Sequence, residues 1–321
     1  MLSTRFEQPD HLTGSSLYYA ACIGFREAVR KLLDKGADVN TWGGIYGTPL
    51  RGAARFGHKM TCALLIHRGA WLESEDNYSG GTPLWFAADA GQTSTVRILL
   101  QNGADIEAGT DTGNGTPIYA AASNRHIEVV RLLLDNGANV NAIAPYGKTA
   151  LRGAAMNGDL EMINSLLDKG AEIETRDQND QTPLIRAAVC GKSDAVTLLL
   201  NRGANIEAKD NKGRTGLCWA AIHSQMAALK VLIGNGGTID PRDKDGQTPL
   251  HCAAAAGKEQ AVRLLLGHKA DPAAEDAAWL TPFDWASRHG HFGVASLLAQ
   301  ASGAGGDDRG ITGTDWFPSS A

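Results

Sequence analysis

A hydroxyl residue followed by a short apolar segment recurs at a nearly constant interval along most of this chain. Nine such residues occur, and successive ones are 33 or 34 positions apart. They are Ser15, Thr48, Thr82, Thr116, Thr149, Thr182, Thr215, Thr248 and Thr281. A fixed period of this length is typical of arrays of stacked units that share one continuous core. The length of 321 residues therefore does not indicate two ordinary domains.

The segment 82–103 shows why each unit is predicted to form a pair of helices. Thr82 is a favourable N-cap, and Pro83 suits the first helical position because a backbone N–H there has no helical partner. Apolar residues follow at the spacing of one helix face, and Gly91 can adopt the left-handed conformation that ends the helix. A second apolar helix ends at Gly103. One such pair cannot bury both of its apolar sides, so we expect the units to stack.

The unit between Asp245 and Asp271 carries the most complete form of the motif. It contains Gln-Thr-Pro-Leu-His at Gln247–His251, followed by alanines in register and a helix-ending glycine. This unit resembles an ankyrin repeat, whose Thr-Pro-Leu-His-x-Ala signature and period of about 33 residues it shares. The resemblance implies an all-α fold, an ankyrin-repeat solenoid of stacked helix–turn–helix units with β-hairpin-like turn tips. We expect nine repeats to form one domain over residues 14–300.

The two ends of the chain lack this pattern. Residues 1–13 are polar and include Pro9, and we expect them to form a lead-in that caps the first repeat. Residues 301–321 are rich in Gly, Asp and Ser, so we expect a disordered tail. Its apolar segment Trp316–Pro318 leaves open a docking motif or a strip that folds back on the last helix. The initial methionine and this tail favour a complete chain over a fragment of a larger protein.

Departures from the motif are few. Arg125 and Ser224 replace the glycine between the two helices of their repeats. We expect a positive φ at both positions, at a cost of roughly 1 kcal/mol each. Such losses are small beside the stacking of nine units, so the architecture should be retained.

Composition limits the classes of partner and compartment. With 30 basic and 35 acidic residues, the chain offers no basic stripe for nucleic acid. No apolar run approaches the roughly 20 residues that span a bilayer, and the N-terminus lacks a secretion signal. The five cysteines have no Cys-x-x-Cys spacing, which indicates reduced thiols. We expect a monomeric intracellular protein, cytoplasmic or nuclear, that binds neither nucleic acid nor membrane.

Three reactive side chains, Cys218, His251 and Asp284, occupy the same position of successive repeats. They are the residue types of a nucleophile, a base and an orienting acid. Packed helices lie about 8–10 Å apart, whereas a nucleophile and its base must approach to about 3 Å, so the spacing disfavours a triad. His289 and His291 lack further metal ligands at a recognisable spacing. We expect no catalytic residue, metal or cofactor, and therefore no enzyme.

The resemblance implies that partners contact the turn tips between repeats and the exposed side of the first helices, which together line a concave groove. The upstream tips carry apolar residues, namely Trp42, Ile45, Tyr46, Tyr78, Pro145 and Tyr146. The downstream tips are polar, with Gln178, Asn179, Asn211, Lys212, Lys244 and Asp245. Large rings at solvated tips have little core to fill, which favours a binding role for the upstream tips.

The first helices of the upstream repeats add further rings and charges. In repeats one to five, the position of the signature histidine holds Tyr18, Arg51, Trp85, Tyr119 and Arg152. Aromatic and arginine residues are enriched at binding hot spots. An alternative is that Trp85 and Tyr119 pack between repeats while the arginines are merely solvated. The predicted contact residues are Trp42, Tyr46, Arg51, Arg55, Phe56, Tyr78, Trp85, Asp89, Tyr119, Asn124, Tyr146, Arg152 and Asn157.

These observations predict a protein–protein interaction scaffold that binds its partner through the groove, mainly through repeats two to five. Rings flanked by guanidinium groups suit an extended protein segment with apolar and acidic side chains. The alternative is a small-molecule binder or an unconventional enzyme, with a pocket between the tips and Trp85, Tyr119, Arg51 and Arg152. A deep closed cavity there would favour the alternative.

Overall fold

The computed structural model describes residues 15–74, 81–108 and 115–303. The expected lead-in, most of the expected tail, and Tyr78 lie outside these residues. Within them the chain forms eighteen α-helices, one short 3-10 turn at Pro145–Gly147 and no β-strand. The helices are α1 (Ser16–Ile23), α2 (Arg26–Asp34), α3 (Pro49–Arg55), α4 (Lys59–His67), α5 (Pro83–Asp89), α6 (Thr93–Gln101), α7 (Pro117–Ser123), α8 (Ile127–Asp135), α9 (Ala150–Asn157), α10 (Leu160–Asp168), α11 (Pro183–Val189), α12 (Ser193–Asn201), α13 (Gly216–Ile222), α14 (Met226–Gly234), α15 (Pro249–Ala255), α16 (Glu259–Gly267), α17 (Pro282–Arg288) and α18 (Phe292–Ala301).

The helices belong to two compact units, divided between Asn205 and Ile206. In the first unit, α1 to α12 form six helical hairpins, and each first helix packs against the first helix of the next repeat. In the second unit, α13 to α18 form three hairpins that pack in the same way. The predicted all-α class of stacked helix–turn–helix repeats is confirmed. The expectation that the nine repeats form one domain stays a prediction.

The helix starts follow from the hydroxyl residues that set the period. The side chain of Thr82 accepts a hydrogen bond from the backbone N–H of Trp85, and Pro83 fills the first helical position. Ser15 and Thr149 cap their helices in the same way, although no proline follows them. Each cap satisfies a backbone donor that has no partner inside the helix. The first helices can therefore be as short as seven residues and still begin at a defined point.

The helix ends require a left-handed residue, as predicted. Arg125 has φ 65° and Ser224 has φ 53°, so both non-glycine residues adopt the expected strained conformation. Gly91, with φ 70°, has a second reason to lack a side chain. A Cβ atom there would lie 2.5 Å from the ring of His126 in the next repeat. That ring bonds through Nε2 to the carbonyl of Asp89, which ties the two repeats together.

The core lies between the two layers of helices in each unit. Leu84, Ala87 and Ala88 of α5 are fully buried, and so are Val96 and Leu99 of α6. Alanine on the facing surfaces lets neighbouring first helices approach closely. This core fixes the spacing of the repeats and so the spacing of the tips that follow each second helix.

A polar side chain after seven of the second helices also links one repeat to the next. It accepts the backbone N–H of a residue 31 or 32 positions further along the chain. In the first unit these acceptors are Asn40, Glu73, Glu107, Asn141 and Glu174. In the second unit Glu207 and Asp240 act in the same way. These bonds hold the loops of adjacent repeats in register.

Candidate functional site

The tip before α3 and the start of α5 form a cluster of rings around one arginine. The Arg51 guanidinium carbon lies 4.9 Å from the ring centroid of Phe86 and 5.6 Å from that of Trp42. The Tyr46 ring makes edge-to-face contacts with Phe56 and Phe86, both at 5.5 Å between centroids. Such geometry adds attraction beyond simple burial. We call this set the aromatic cluster, and its members are Trp42, Tyr46, Arg51, Phe56, Trp85 and Phe86.

Glycines and a buried tyrosine shape the tip that carries the cluster. A Cβ atom on Gly47, whose φ is +80°, would lie 2.5 Å from the Trp42 ring and 2.9 Å from Arg51 Nη1. The absence of a side chain therefore lets both groups rest against the backbone. The Tyr46 backbone N–H donates to the Tyr18 hydroxyl at 3.1 Å. Burial raises the pKa of Tyr18, so this support stays neutral at physiological pH.

Exposure divides the cluster into a surface and a support. Trp42 is 45% exposed and Phe56 48% exposed, and the neighbouring Ile45 is 72% exposed. Arg51 is 0% exposed, because the ring of Trp42 on the tip and the ring of Phe86 on α5 enclose it, and we exclude it from the proposed contact surface. Trp85 is half-buried, which agrees with the packing alternative for this residue. The exposed apolar edge therefore consists of Trp42, Ile45 and Phe56.

A chain of polar contacts continues from this edge across three repeats. Arg55 Nη1 lies 3.0 Å from Asp89 Oδ2, and Asn124 Nδ2 donates to Asp89 Oδ1 at 2.6 Å. One further repeat along, Asn157 donates to the carbonyl of Ser123. The structure therefore brings Arg55, Asp89 and Asn124 into one network, while Asn157 bonds to the backbone of its neighbour.

A second set of rings lies at the tip before α9. The Lys148 ammonium is 5.5 Å from the Tyr119 ring centroid and 5.8 Å from that of Tyr146. Tyr146 is 60% exposed and has φ 66°, a left-handed conformation that is rare for an aromatic residue. Ile143 on the same tip is also exposed. This tip therefore presents apolar surface next to a cation.

Four buried aspartates shape the downstream tips, and the sequence analysis did not identify them. Each lies five residues before its threonine, and each Oδ1 accepts the backbone N–H groups two and four positions later. Each Oδ2 faces an arginine Nε or receives a tryptophan ring N–H. The residues are Asp177, Asp210, Asp243 and Asp276. The recurrence of aspartate every 33 residues was a signal that could have found them.

Hydrogen bonds hold the buried carboxylate of Asp276 in its ionised form. Burial raises the pKa of Asp276, but hydrogen bonds from the Leu280 N–H and the Trp285 ring N–H outweigh it and lower the pKa overall. In two upstream repeats the corresponding position holds Gly43 or Ala144, whereas Asp111 lies five residues before Thr116, as in the downstream repeats. Among the described tips, those with Asp177, Asp210, Asp243 and Asp276 have the carboxylate-centred turn, and those with Gly43 and Ala144 do not.

Comparison with known proteins gives the family. The sequence model of three ankyrin repeats matches residues 17–110, 106–177, 151–243 and 217–308. The chain belongs to the ankyrin repeat family. The crystal structure of the human ASB11 ankyrin repeat domain is similar, with a TM-score of 0.63 and 28% sequence identity, covering 70% of this chain and 99% of that domain. A search of curated protein sequences found no match.

The residues with catalytic potential have structural roles in this ankyrin repeat protein. Burial lowers the pKa of His251, so its ring is neutral. Its Nδ1 accepts the Thr248 backbone N–H at 3.1 Å, and its Nε2 lies 3.0 Å from the Leu280 carbonyl oxygen. Asp284 accepts from the N–H and hydroxyl of Thr281 as a helix cap. With these partners, His251 and Asp284 do not form a triad with Cys218.

The described part of the ankyrin repeats contains neither a cluster of metal ligands nor a membrane-spanning helix. His291 bonds through Nε2 to the Ala255 carbonyl, and His289 bonds through Nδ1 to the Trp285 carbonyl. Within residues 15–74, 81–108 and 115–303, no group of three or more His, Cys, Asp or Glu could hold a metal ion. None of the helices in these ranges is long and apolar enough to cross a membrane.

One exposed ring of the ankyrin repeats was missed from the sequence. Trp279, at the tip before α17, is 80% exposed and has φ 59°. The same position in other repeats holds Gly147, Gly213 and Gly246, all with positive φ. Alignment of the repeats would have shown this replacement. A bulky residue held in a strained and exposed conformation is a candidate contact residue.

We expect Trp279→Gly to raise the free energy of unfolding by about 0.5–1 kcal/mol. The change relieves left-handed strain of about 1–2 kcal/mol, and the greater freedom of glycine in the unfolded chain offsets part of that gain. Urea unfolding of the full chain measures it. Trp71→Gly is the control, because Trp71 is also exposed but has no positive φ. A loss of stability in Trp279→Gly would show that the ring contributes packing.

Proposed function

We propose that this ankyrin repeat protein is a non-catalytic scaffold that binds a partner protein through the upstream tips and first helices. The observation that carries the proposal is the exposed apolar edge of Trp42, Ile45 and Phe56 on a buried support of Arg51 and Phe86. Rings fixed in place before binding lose little conformational entropy on binding. Tight clusters of aromatic residues are also the usual centres of binding energy.

The small-molecule alternative has less support from the geometry. Arg51 is enclosed, and Arg152 is engaged with Asp177. A cavity of about 530 Å³ lies elsewhere in the first unit and is lined by Ala70, Trp71, Leu72, Glu73, Ser74 and Gly103. None of the predicted contact residues lines it. An open apolar edge suits a peptide segment better than it suits a small ligand.

A random-peptide display library selected on the intact protein tests the proposal. We expect the double variant Ile45→Ser/Phe56→Ala to weaken binding of the selected peptides by about tenfold or more, since hot-spot truncations cost at least about 1.4 kcal/mol. Fluorescence anisotropy measures the affinity. Helix content should be unchanged and the melting temperature should fall only slightly, because Ile45 is 72% exposed and Phe56, which contacts the Tyr46 ring, is 48% exposed.

The matched control is Met60→Ala. Met60 is 50% exposed and lies on α4, a second helix, so its truncation removes exposed apolar surface from another face. The affinity of the Met60→Ala variant for the selected peptides should equal that of the unmodified protein. Binding that survives the double variant but fails with Met60→Ala would reject the proposed surface.

A further inference from the structure

Arg186 on α11, in the sixth repeat, is a half-buried cation without a carboxylate partner in the described chain. Its Nη1 donates to Gln181 Oε1 at 2.9 Å, and its Nη2 lies 3.6 Å from the sulfur of Met156. Its Nε is inaccessible to solvent and has no hydrogen-bond partner. A neutral amide and a thioether compensate a guanidinium charge poorly. The side chain therefore retains unused capacity to bind an anion.

The surroundings of Arg186 carry a second arginine and only one buried carboxylate. Arg152 Nε lies 3.3 Å from Asp177 Oδ2, and Asp177 Oδ1 accepts the backbone N–H of Gln181. Gln181 then accepts from Arg186, so the four residues form one connected network. The network holds two positive charges and one negative charge. The network is therefore one negative charge short of electrical neutrality.

The wider segments show the same imbalance. Residues 144–156 and 176–186, which cover the tips and most of the first helices of these two repeats, contain four cationic and two anionic side chains. Two of the cations, Lys148 and Arg176, are on the tips, as is the anionic Asp180. The local net charge is +2, although the whole chain carries −5. An approaching acidic segment is therefore attracted to this part of the protein.

The eighth repeat provides a balanced counterpart. Arg214 Nε lies 3.0 Å from Asp243 Oδ2, its Nη2 lies 3.4 Å from Gln247 Oε1, and the Gln247 N–H donates to Asp243 Oδ1. This network has the same aspartate and glutamine, but it holds one arginine for one carboxylate. Two repeats after Arg186, its position is occupied by Cys252. The tip around Asp243 therefore forms with a single arginine. A second guanidinium, such as that of Arg186, is not needed to build this kind of tip.

We propose that Arg186, next to Arg152, binds a carboxylate side chain of the extended partner segment. The inference rests on the proposed function and names the polar anchor of that partner. A guanidinium pairs well with a carboxylate because two N–H groups match two oxygens. The apolar edge lies in the second repeat and Arg186 in the sixth. Four steps of about 8–10 Å separate them, which an extended chain crosses in about 10–12 residues.

The test uses a displayed library of random peptides of about 16 residues, long enough for that span. Selection on the intact protein should enrich Asp or Glu about 10–12 positions from an apolar residue. Selection on Arg186→Gln should keep the apolar preference and lose the acidic one. Persistence of the acidic preference with Arg186→Gln would overturn the inference. Peptides that bind without sensitivity to Ile45→Ser/Phe56→Ala would instead overturn the proposed function.

One selected peptide then serves to measure the coupling between its acidic residue and Arg186. Replacing its acidic residue by the amide should weaken binding to the intact protein about tenfold and have at most about a twofold effect on Arg186→Gln. Equal losses with both proteins would contradict a direct contact. The same peptide can also be made with phosphoserine in place of its acidic residue. If that peptide binds more tightly, the ligand of Arg186 is a phosphate and not a carboxylate.

The melting temperature distinguishes a binding role of Arg186 from a structural role. Arg186→Gln removes a charge that no carboxylate needs, so the melting temperature should be unchanged or higher. Arg214→Gln should lower it, because that change leaves Asp243 buried without its cation. If both variants lower the melting temperature equally, Arg186 acts within the fold and the inference fails.

Discussion

Asp243→Ala is expected to destabilise the second unit by about 3–5 kcal/mol. The Asp243 carboxylate is almost fully buried, and it accepts the backbone N–H groups of Asp245 and Gln247 while facing Arg214 Nε at 3.0 Å. Its removal leaves two backbone donors and a half-buried guanidinium without their acceptor. Breaking such a pair costs more than the pair contributes, because the remaining charge is uncompensated.

Urea unfolding of the full chain, followed by circular dichroism, measures this effect. Asp245→Ala is the control, because Asp245 is exposed on the same tip and should change stability by less than about 0.5 kcal/mol. Asp243→Asn keeps an acceptor but loses the charge, so its urea midpoint should lie between those of Asp243→Ala and Asp245→Ala. Equal midpoints for Asp243→Ala and Asp245→Ala would show that the carboxylate does not hold the tip.

Gly147→Ala is expected to have a similar effect in the first unit, about 2–5 kcal/mol. Gly147 has φ +68°, and an added Cβ would lie 2.4 Å from Asp177 Cα and 2.9 Å from the Arg176 carbonyl oxygen. Left-handed strain of about 1–2 kcal/mol and a backbone clash of about 1–3 kcal/mol both contribute. The tips cannot separate freely, because the Gln178 N–H donates to the Tyr146 carbonyl at 3.3 Å.

Gly170→Ala isolates the strain from the clash. Gly170 has φ +87° with nothing within 4 Å of an added Cβ, so only about 1–2 kcal/mol should be lost. Both variants gain the same benefit from a stiffer unfolded chain, which therefore cancels in the comparison. Matched thermal and urea unfolding gives the difference. Identical losses would mean that adjacent tips do not press on each other at Gly147.

The features that the sequence predicted correctly are set by local chemistry. The threonine caps and the left-handed Arg125 and Ser224 each depend on residues within one repeat or on its period. The period also gave the stacked architecture. Sequence reasoning succeeds where the same physical requirement recurs at the same position in every unit.

The features that it missed depend on contacts between repeats. Arg51 was expected at the surface, but Trp42 of its own tip and Phe86 on α5 of the next repeat enclose it. The partnership of Asp177 with Arg152 likewise joins two repeats. The strained Trp279 could have been found, because it stands where other repeats have glycine. Composition of the tips alone did not reveal it.

The most direct test of the binding surface is amide hydrogen exchange of the intact protein with and without a display-selected peptide. The peptide should slow exchange in the tip segments 41–48 and 143–149 and at the C-terminal ends of α3 and α5. The second helices, including α4 and α6, should be unaffected. Slower exchange confined to the second helices, or no change at the upstream tips at saturating peptide, would contradict a partner surface built on these rings.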